Sequence, residues 1–348
     1  MPEGTFKARH SRFDHGWISG RGPADAMIQY IKNILFFPKL VVKHWELLWS
    51  FVQRELKARY EGSLLGLLWP VIQPLVLFAV YYMVFAKLLK IPVSVDLNPW
   101  GDINSAMEGA AAGWRGTFFL ISGILPWIFM AEALNRCTGI VLENANLIKK
   151  IAFPSEFLPI YVVLLQFIYF FIGMVLFLVI VWCVNGSLPW LIVYIPLLIL
   201  LEMIFVVGLG MLAGALNIFI RDVAQVIPLF TMFWMFVSPV FYSPAVLILV
   251  GTPPQASLVR AIQPYLPLNP MYNLLTCYRD IFKYGRRTTI VDTLCDDNGR
   301  IIEYIQEHTF DQGISTDCLL IFAAQAVITF IIGYAFFLRS KGRFADEV

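Results

Sequence analysis

Uncharged windows long enough to cross a bilayer, about 20 residues each, set the pattern of this chain. No charge interrupts the sequence between Glu61 and Lys87, and a first span is predicted over about 64–88. A second, over about 117–142, carries Glu132 and Arg136 four residues apart. The stretch from Phe157 to Leu201 has no charge at all, about twice what one helix needs. Asn185-Gly186-Ser187-Leu188-Pro189 supplies turn chemistry at its middle, so two spans are predicted, 157–184 and 189–216, joined by a tight hairpin. A fifth span is expected over 226–249, and a sixth over 318–338 between Asp317 and Arg339.

Outside these windows the pattern changes. Beyond an N-terminal extension, 1–39, Leu40, Trp45, Leu48, Trp49, Val52 and Leu56 recur at helical spacing while Lys43, Glu46, Gln53, Arg54 and Lys57 fill the other face. An amphipathic helix over 40–60 is predicted, lying on the membrane with its tryptophans at headgroup depth or packed on a soluble subunit. Within 250–317, Pro253, Pro254, Pro264, Pro267 and Pro270 break the chain into short pieces ahead of an amphipathic stretch, Met271–Tyr284. Such pieces are expected as re-entrant or interfacial helices, since irregular backbone at membrane depth needs protein or a cavity around it. Residues 285–317 are polar and expected in water. The fold class predicted is an all-α membrane protein: six transmembrane helices per protomer, an N-terminal interface helix, and short re-entrant helices before the last span.

Charge placement orients this arrangement. An even number of spans puts both termini on one side. Arg54, Lys57, Arg59, Lys149, Lys150, Arg221 and the 339–348 tail, with Arg339, Lys341 and Arg343, mark that side as cytoplasmic. Lys87, Lys90 and Arg115 on the other side weaken the bias without reversing it. No cleavable signal peptide is visible in the first 40 residues, where basic residues are scattered and no clean apolar core stands out.

Composition agrees: 59% of the 348 residues are apolar and 14% charged, against about 45–50% and about 25% in soluble domains. A net charge of +2 argues against a nucleic-acid partner. Chemistry is sparse. The phosphate-cradling GxxxxGK[ST] is absent, as are GxSxG and HExxH, and five cysteines and four histidines form no metal-ligand spacing. The candidates that remain are polar residues within spans. Glu132 and Arg136 share a helix face and are expected to neutralise each other. Glu202 has no basic residue one turn away and is expected to face protein, near a polar neighbour such as Gln166. Gly210 and Gly214 form GxxxG, which permits close helix contact.

Five segments in order, separated by these spans, carry a resemblance: RELKARYEGSLLGLLWPVIQPL at 54–75, ENANLIKKIAFPSEFLP at 143–159, ALNIFIRDVAQVIP at 215–228, LNPMYNLLTCYRDIFKYG at 268–285 and RFADEV at 343–348. From Leu40 to Val348 the chain resembles the membrane subunit of the type-2 ABC exporters that move lipid-linked O-antigen, capsular polysaccharide or teichoic acid. It departs from them over 1–39, about 91–116 and about 286–317. The resemblance implies a homodimer in the bacterial inner membrane, driven by two copies of a separate ATPase that binds ATP and Mg, with no cofactor on this chain. It implies that the loop Glu143–Glu156, with Asn144, Asn146, Lys149 and Lys150, and the turn at Arg221 and Asp222 dock on that ATPase.

The residues themselves suit such a cargo. Arg54, Lys57 and Arg59 are cations at the point where an undecaprenyl-pyrophosphate-linked glycan would arrive, although positive-inside anchoring explains them equally well. Aromatic faces suit sliding sugars. Phe230, Trp234 and Phe241 in the fifth span and Phe78, Tyr81, Tyr82 and Phe85 in the first are the candidate channel lining, with lipid-facing or packing roles as the alternative. A rival is a type-2 exporter of a drug, lipid or lipo-oligosaccharide. More distant are a membrane glycosyl- or acyltransferase, for which only Asp296-Asp297 and His308 are available, and a passive channel. The pairing of Cys295 with Cys318 is left open by the sequence.

Overall fold

The computed structural model describes residues 37–39, 41–84, 114–145, 154–242, 244, 257–258, 261–282, 294–295, 301–302 and 314–347. The chain divides into two units, Met1–His44 and Trp45–Val348. Of the first, the described residues 37–39 and 41–43 are helical; the rest of the expected extension and Leu40 lie outside the described residues.

Among its described residues the second unit is built almost wholly from helices. In chain order these are α1 (Trp45–Tyr60), α2 (Trp69–Tyr81), α3 (Trp114–Glu143), α4 (Phe157–Asn185), α5 (Ile195–Phe219), α6 (Val223–Val237), α7 (Pro270–Phe282) and α8 (Thr316–Glu347). Short 3-10 turns precede α5 (Trp190–Tyr194) and α7 (Gln263–Leu268). Two antiparallel two-residue strands, β1 (Leu294–Cys295) and β2 (Ile301–Ile302), lie between α7 and α8.

Among the described residues, four helices are long and apolar enough to cross a membrane: Gly116–Glu143, Phe157–Asn185, Trp190–Phe219 and Thr316–Phe344. They correspond to the expected second, third, fourth and sixth spans. The other two expected spans are represented by shorter apolar helices, Trp69–Val84 and Val223–Val237. At about 1.5 Å per residue these segments fall short of a hydrocarbon core of about 30 Å. Residues 85–88 and 245–249, which would complete 64–88 and 226–249, lie outside the described residues. The hairpin between α4 and α5 is the one expected: Gly186 closes α4 at φ 71°, the left-handed conformation glycine adopts without a Cβ clash, and its N–H donates to the Trp182 carbonyl at 2.8 Å.

Small residues set the core. A Cβ on Gly208 of α5 would stand 2.6 Å from the Phe330 backbone of α8, and one on Gly333 would collide with the Gly208 carbonyl, so the two helices meet backbone to backbone. On another side of α5, Gly210 and Gly214 accommodate Cys137 of α3; Cβ atoms there would lie 2.8 Å from its Sγ and 2.9 Å from its carbonyl oxygen. The GxxxG pair thus serves α3, while the closest contact with α8 uses Gly208. Fifteen of the 25 residues of α5 are buried, so it forms the centre of the bundle. Against this centre α7 is sunk as well, with ten of 13 residues buried, in the region where re-entrant or interfacial helices were expected.

Candidate transport path and coupling surface

Two helices contrast with the core. Only Pro70 and Phe78 of α2 and only Thr231 of α6 are buried. Leu229, Phe230, Met232, Phe233 and Phe236 of α6, and Leu75, Val76 and Val80 of α2, are exposed. The candidate lining aromatics divide accordingly. Phe230 is exposed, while Tyr81, Tyr82, Trp234 and Phe241 are half-buried. Phe78 is a correction: it is buried and packs edge-on against Phe177 of α4 at 6.3 Å, because that side of α2 is the one that rests on the bundle. Phe241 packs on Phe119 and Leu120. Phe85 lies outside the described residues.

Trp234 is held rather than free to swing. Its indole N–H donates to Asn269 Oδ1 at 3.0 Å, and its ring stands edge-on to Trp127 of α3 at 5.7 Å. Asn269 also donates to Ser238 Oγ at 2.9 Å and accepts from the Met271 N–H at 3.1 Å. One amide therefore ties the end of α6 to the start of α7. Beside it, Asn273 donates to the Pro267 carbonyl (2.7 Å) and to Gln325 Oε1 of α8 (3.0 Å), and Gln325 donates to the Pro267 and Leu268 carbonyls. These amides satisfy the open carbonyls of the 3-10 turn, as broken backbone within a membrane domain requires. Charge-free windows do not register neutral amides, so Asn269, Asn273 and Gln325 were missed; their signal was the Asn-Pro step and the i, i+4 asparagine pair.

Further polar groups lie deep in this region. Arg279 of α7 is buried, with its guanidinium 3.8 Å over the Phe119 ring and Nη2 donating to the Val240 carbonyl at 2.7 Å. Gly123 makes room, since a Cβ there would stand 2.8 Å from that same Nη2. Asp280 accepts the Ser315 N–H at 2.9 Å, one residue before α8 begins. Glu202 is fully buried and accepts a hydrogen bond from the Tyr278 hydroxyl at 3.0 Å, so its partner is Tyr278 rather than Gln166.

Basic and acidic residues gather at the opposite end. Arg54 stacks over Phe51 at 4.6 Å and Arg59 over Tyr169 of α4 at 5.2 Å, whereas Lys57 lines an open groove of 310 Å³ with Leu56, Tyr60, Glu61 and Gly66. Burial, with the Tyr169 hydroxyl beside it, pushes the Tyr60 phenol above its ordinary range. The expected Glu132–Arg136 pair is a second correction. Glu132 faces outward, and Arg136 instead bonds Glu55 of α1 at 2.9 Å and approaches Glu143 at 3.4 Å. A guanidinium fork reaches two carboxylates at once, and helical spacing alone does not reveal a partner 81 residues away.

Asn144 caps α3 by donating to the Ile140 carbonyl at 2.9 Å; Asn146, Lys149 and Lys150 lie outside the described residues, as do Asp296-Asp297 and His308. Arg221 and Asp222 form an exposed turn between α5 and α6. Asn217, absent from the sequence-derived candidates, fixes that turn: it accepts the Ala224 N–H at 3.1 Å and donates to the Thr138 carbonyl of α3 at 2.9 Å. Lys341 of α8 donates to both oxygens of Glu156, at 2.7 and 2.9 Å.

The ABC-2 type transporter family model matches residues 46–252, from α1 to beyond α6. The O-antigen export system permease protein RfbA of Myxococcus xanthus is 29% identical over 256 residues, covering 74% of this chain and 85% of that protein. A protein of the same name from Klebsiella pneumoniae is 26% identical over 243 residues, covering 69% and 82%.

Proposed function

The chain belongs to the ABC-2 type transporter family, and from that premise we propose that it is the permease subunit of an exporter that carries an undecaprenyl-linked polysaccharide, O-antigen or capsule, across the bacterial inner membrane. It is a non-catalytic, multi-pass membrane subunit; two copies of a cytoplasmic ATPase bind the ATP and Mg. On this reading six spans cross the bilayer with both termini in the cytoplasm, and α1 lies along the inner surface, with Trp45 and Trp49 exposed and stacked at 6.2 Å.

The observation that carries the reading is the unsatisfied apolar surface of α2 and α6. Lipid alone would accept aliphatic side chains there, but Phe230, Phe233, Phe236 and the pinned Trp234 give one helix a dense aromatic wall. In a homodimer this wall meets its copy, and ring faces offer sugar C–H groups a surface without a fixed register. Tyr81 and Tyr82 continue the lining from α2, and Phe241 extends it toward the hairpin end. Lys57, which faces the open groove, is the best placed of Arg54, Lys57 and Arg59 to receive the lipid pyrophosphate; the two arginines are already stacked on rings. Asn144, Asn146, Lys149, Lys150, Arg221 and Asp222 form the surface that meets the ATPase. The relatives named as O-antigen export permeases support a polysaccharide cargo over a drug or simple lipid.

Purification of the chain alone and with its cognate ATPase tests the division of labour: ATP turnover is expected only in the complex or the ATPase, and turnover by the permease alone overturns it. For the cargo, deletion of the gene is expected to abolish surface polysaccharide while its lipid-linked form accumulates inside the cell. Normal surface polysaccharide in the deletion strain refutes the assignment.

A further inference from the structure

Helix α3 is a core helix along most of its length, and Glu132 and Glu143 are its only exposed residues among those described. Glu143 ends the helix, but Glu132 lies well inside the membrane-crossing stretch Gly116–Glu143. A carboxylate there is costly against lipid and is tolerated where it meets a polar space. The crossing of α1 and α3 shows which one. Glu55 of α1 accepts from Arg136 of α3 at 2.9 Å, and the same crossing brings Arg59, one turn on in α1, within electrostatic reach of Glu132, one turn back in α3. The two do not pair: the ion pairs among the described residues join Arg136 and Lys341 to other acids. Arg59 is instead held with its guanidinium over the Tyr169 ring at 5.2 Å. Tyr169 stands edge-on to Tyr60 at 6.4 Å, and Tyr60 lines the open groove together with Lys57.

We propose that Arg59 and Glu132 form a sugar subsite at the inner mouth of the path, taking the sugar next to the pyrophosphate of the lipid-linked glycan; this rests on the assignment of Lys57 to the pyrophosphate. A guanidinium only donates hydrogen bonds, and an ionised carboxylate only accepts them. A hydroxyl does both, so neighbouring hydroxyls of one sugar satisfy the cation and the anion together. A phosphate does not, because the carboxylate repels it. The rings of Tyr60 and Tyr169 add apolar faces for sugar C–H groups. The head of the cargo is thereby sorted by charge: pyrophosphate at Lys57, and neutral hydroxyls where Arg59 and Glu132 stand close without touching.

The test titrates the full chain, purified with its cognate ATPase, with two probes: farnesyl pyrophosphate, and the same lipid pyrophosphate carrying one N-acetylglucosamine. Hydrogen bonds to charged groups are expected to make the sugar-bearing probe bind about tenfold more tightly. Glu132→Leu is expected to cut that ratio to about twofold, and Glu132→Gln, which keeps one acceptor, to about threefold. Lys57→Gln is expected to weaken both probes alike. A ratio near one in the unaltered complex, or the full ratio surviving in Glu132→Leu, overturns the subsite. If the leucine variant does not accumulate, the nearly isosteric Glu132→Gln carries the test, and retention of the full ratio there overturns it. If Lys57→Gln binds both probes as tightly as the unaltered complex while the ratio still depends on Glu132, the subsite stands and only the Lys57 assignment falls. Binding of neither probe overturns the lipid-pyrophosphate reading, and the subsite with it.

Discussion

Helices α5 and α6 adjoin in sequence and are both apolar, yet fifteen of 25 residues are buried in one and one of 15 in the other. Hydrophobicity does not explain the difference, since within a bilayer lipid tails are as apolar as leucine and give no drive for one helix to seek another. Side-chain size does. On α5, Gly208, Gly210, Ala213, Gly214 and Ala215 let α3 and α8 approach to backbone contact. On α6 the bulky Phe230, Met232, Phe233 and Phe236 stay exposed, and Trp234 makes its contact with α3 through a ring edge rather than backbone to backbone. The smooth helix is the frame, and the rough one is left for whatever lies outside the protomer.

Four substitutions sharpen or break that contrast. Gly333→Leu on α8 should be the most damaging, because its side chain would drive into the Gly208 backbone; overpacking of this kind costs about 1–3 kcal/mol or more, and loss of monodisperse protein in detergent is the expected readout. Next, Tyr278→Phe strips Glu202 of its donor in the core and should lower stability by about 1–3 kcal/mol, measured by thermal unfolding. Adding Glu202→Leu should restore most of that loss. Asn269→Ala comes third, at about 1 kcal/mol, because it frees Trp234 and Ser238 together near the edge of the core, and a changed indole fluorescence should accompany it. Smallest in stability is Phe233→Ala on the rough helix, expected within about 0.5 kcal/mol of the unaltered protein. Surface polysaccharide should nonetheless fall in that variant; a large loss of stability with normal export would invert the assignment of frame and path.

Much of the frame was legible before any coordinates. Long apolar windows with few or no charges located α3, α4, α5 and α8, and the Asn185–Pro189 turn placed the hairpin, because both signals are local in sequence. What escaped was non-local or neutral. Arg136 shares a helix face with Glu132, but it bonds Glu55 on another helix, a partner only the tertiary arrangement supplies. Phe78 shares a helix face with Tyr81 and Tyr82, which lie one turn on, yet at its own level that face rests on Phe177 and is closed off. Asn269, Asn273 and Gln325 carry no charge and vanish inside an apolar window, although they bind the broken backbone before α7. Arg279 lies in a stretch read only as amphipathic; its burial depends on Gly123, far away in sequence, whose bare Cα clears the space for its guanidinium.

The contact between Gly208 and Gly333 also bears on how the protein is made. Helix α5 leaves the ribosome about a third of the chain before α8, so the glycine notch on its surface first meets lipid. A notch without side chains is a poor seat for a disordered acyl tail. Filling of that notch by Gly333 has to wait until α8 has been synthesised. Substitutions at either glycine should then appear first as a defect in maturation, visible as persistent protease sensitivity of newly made chains, before any effect on the finished transporter is measured.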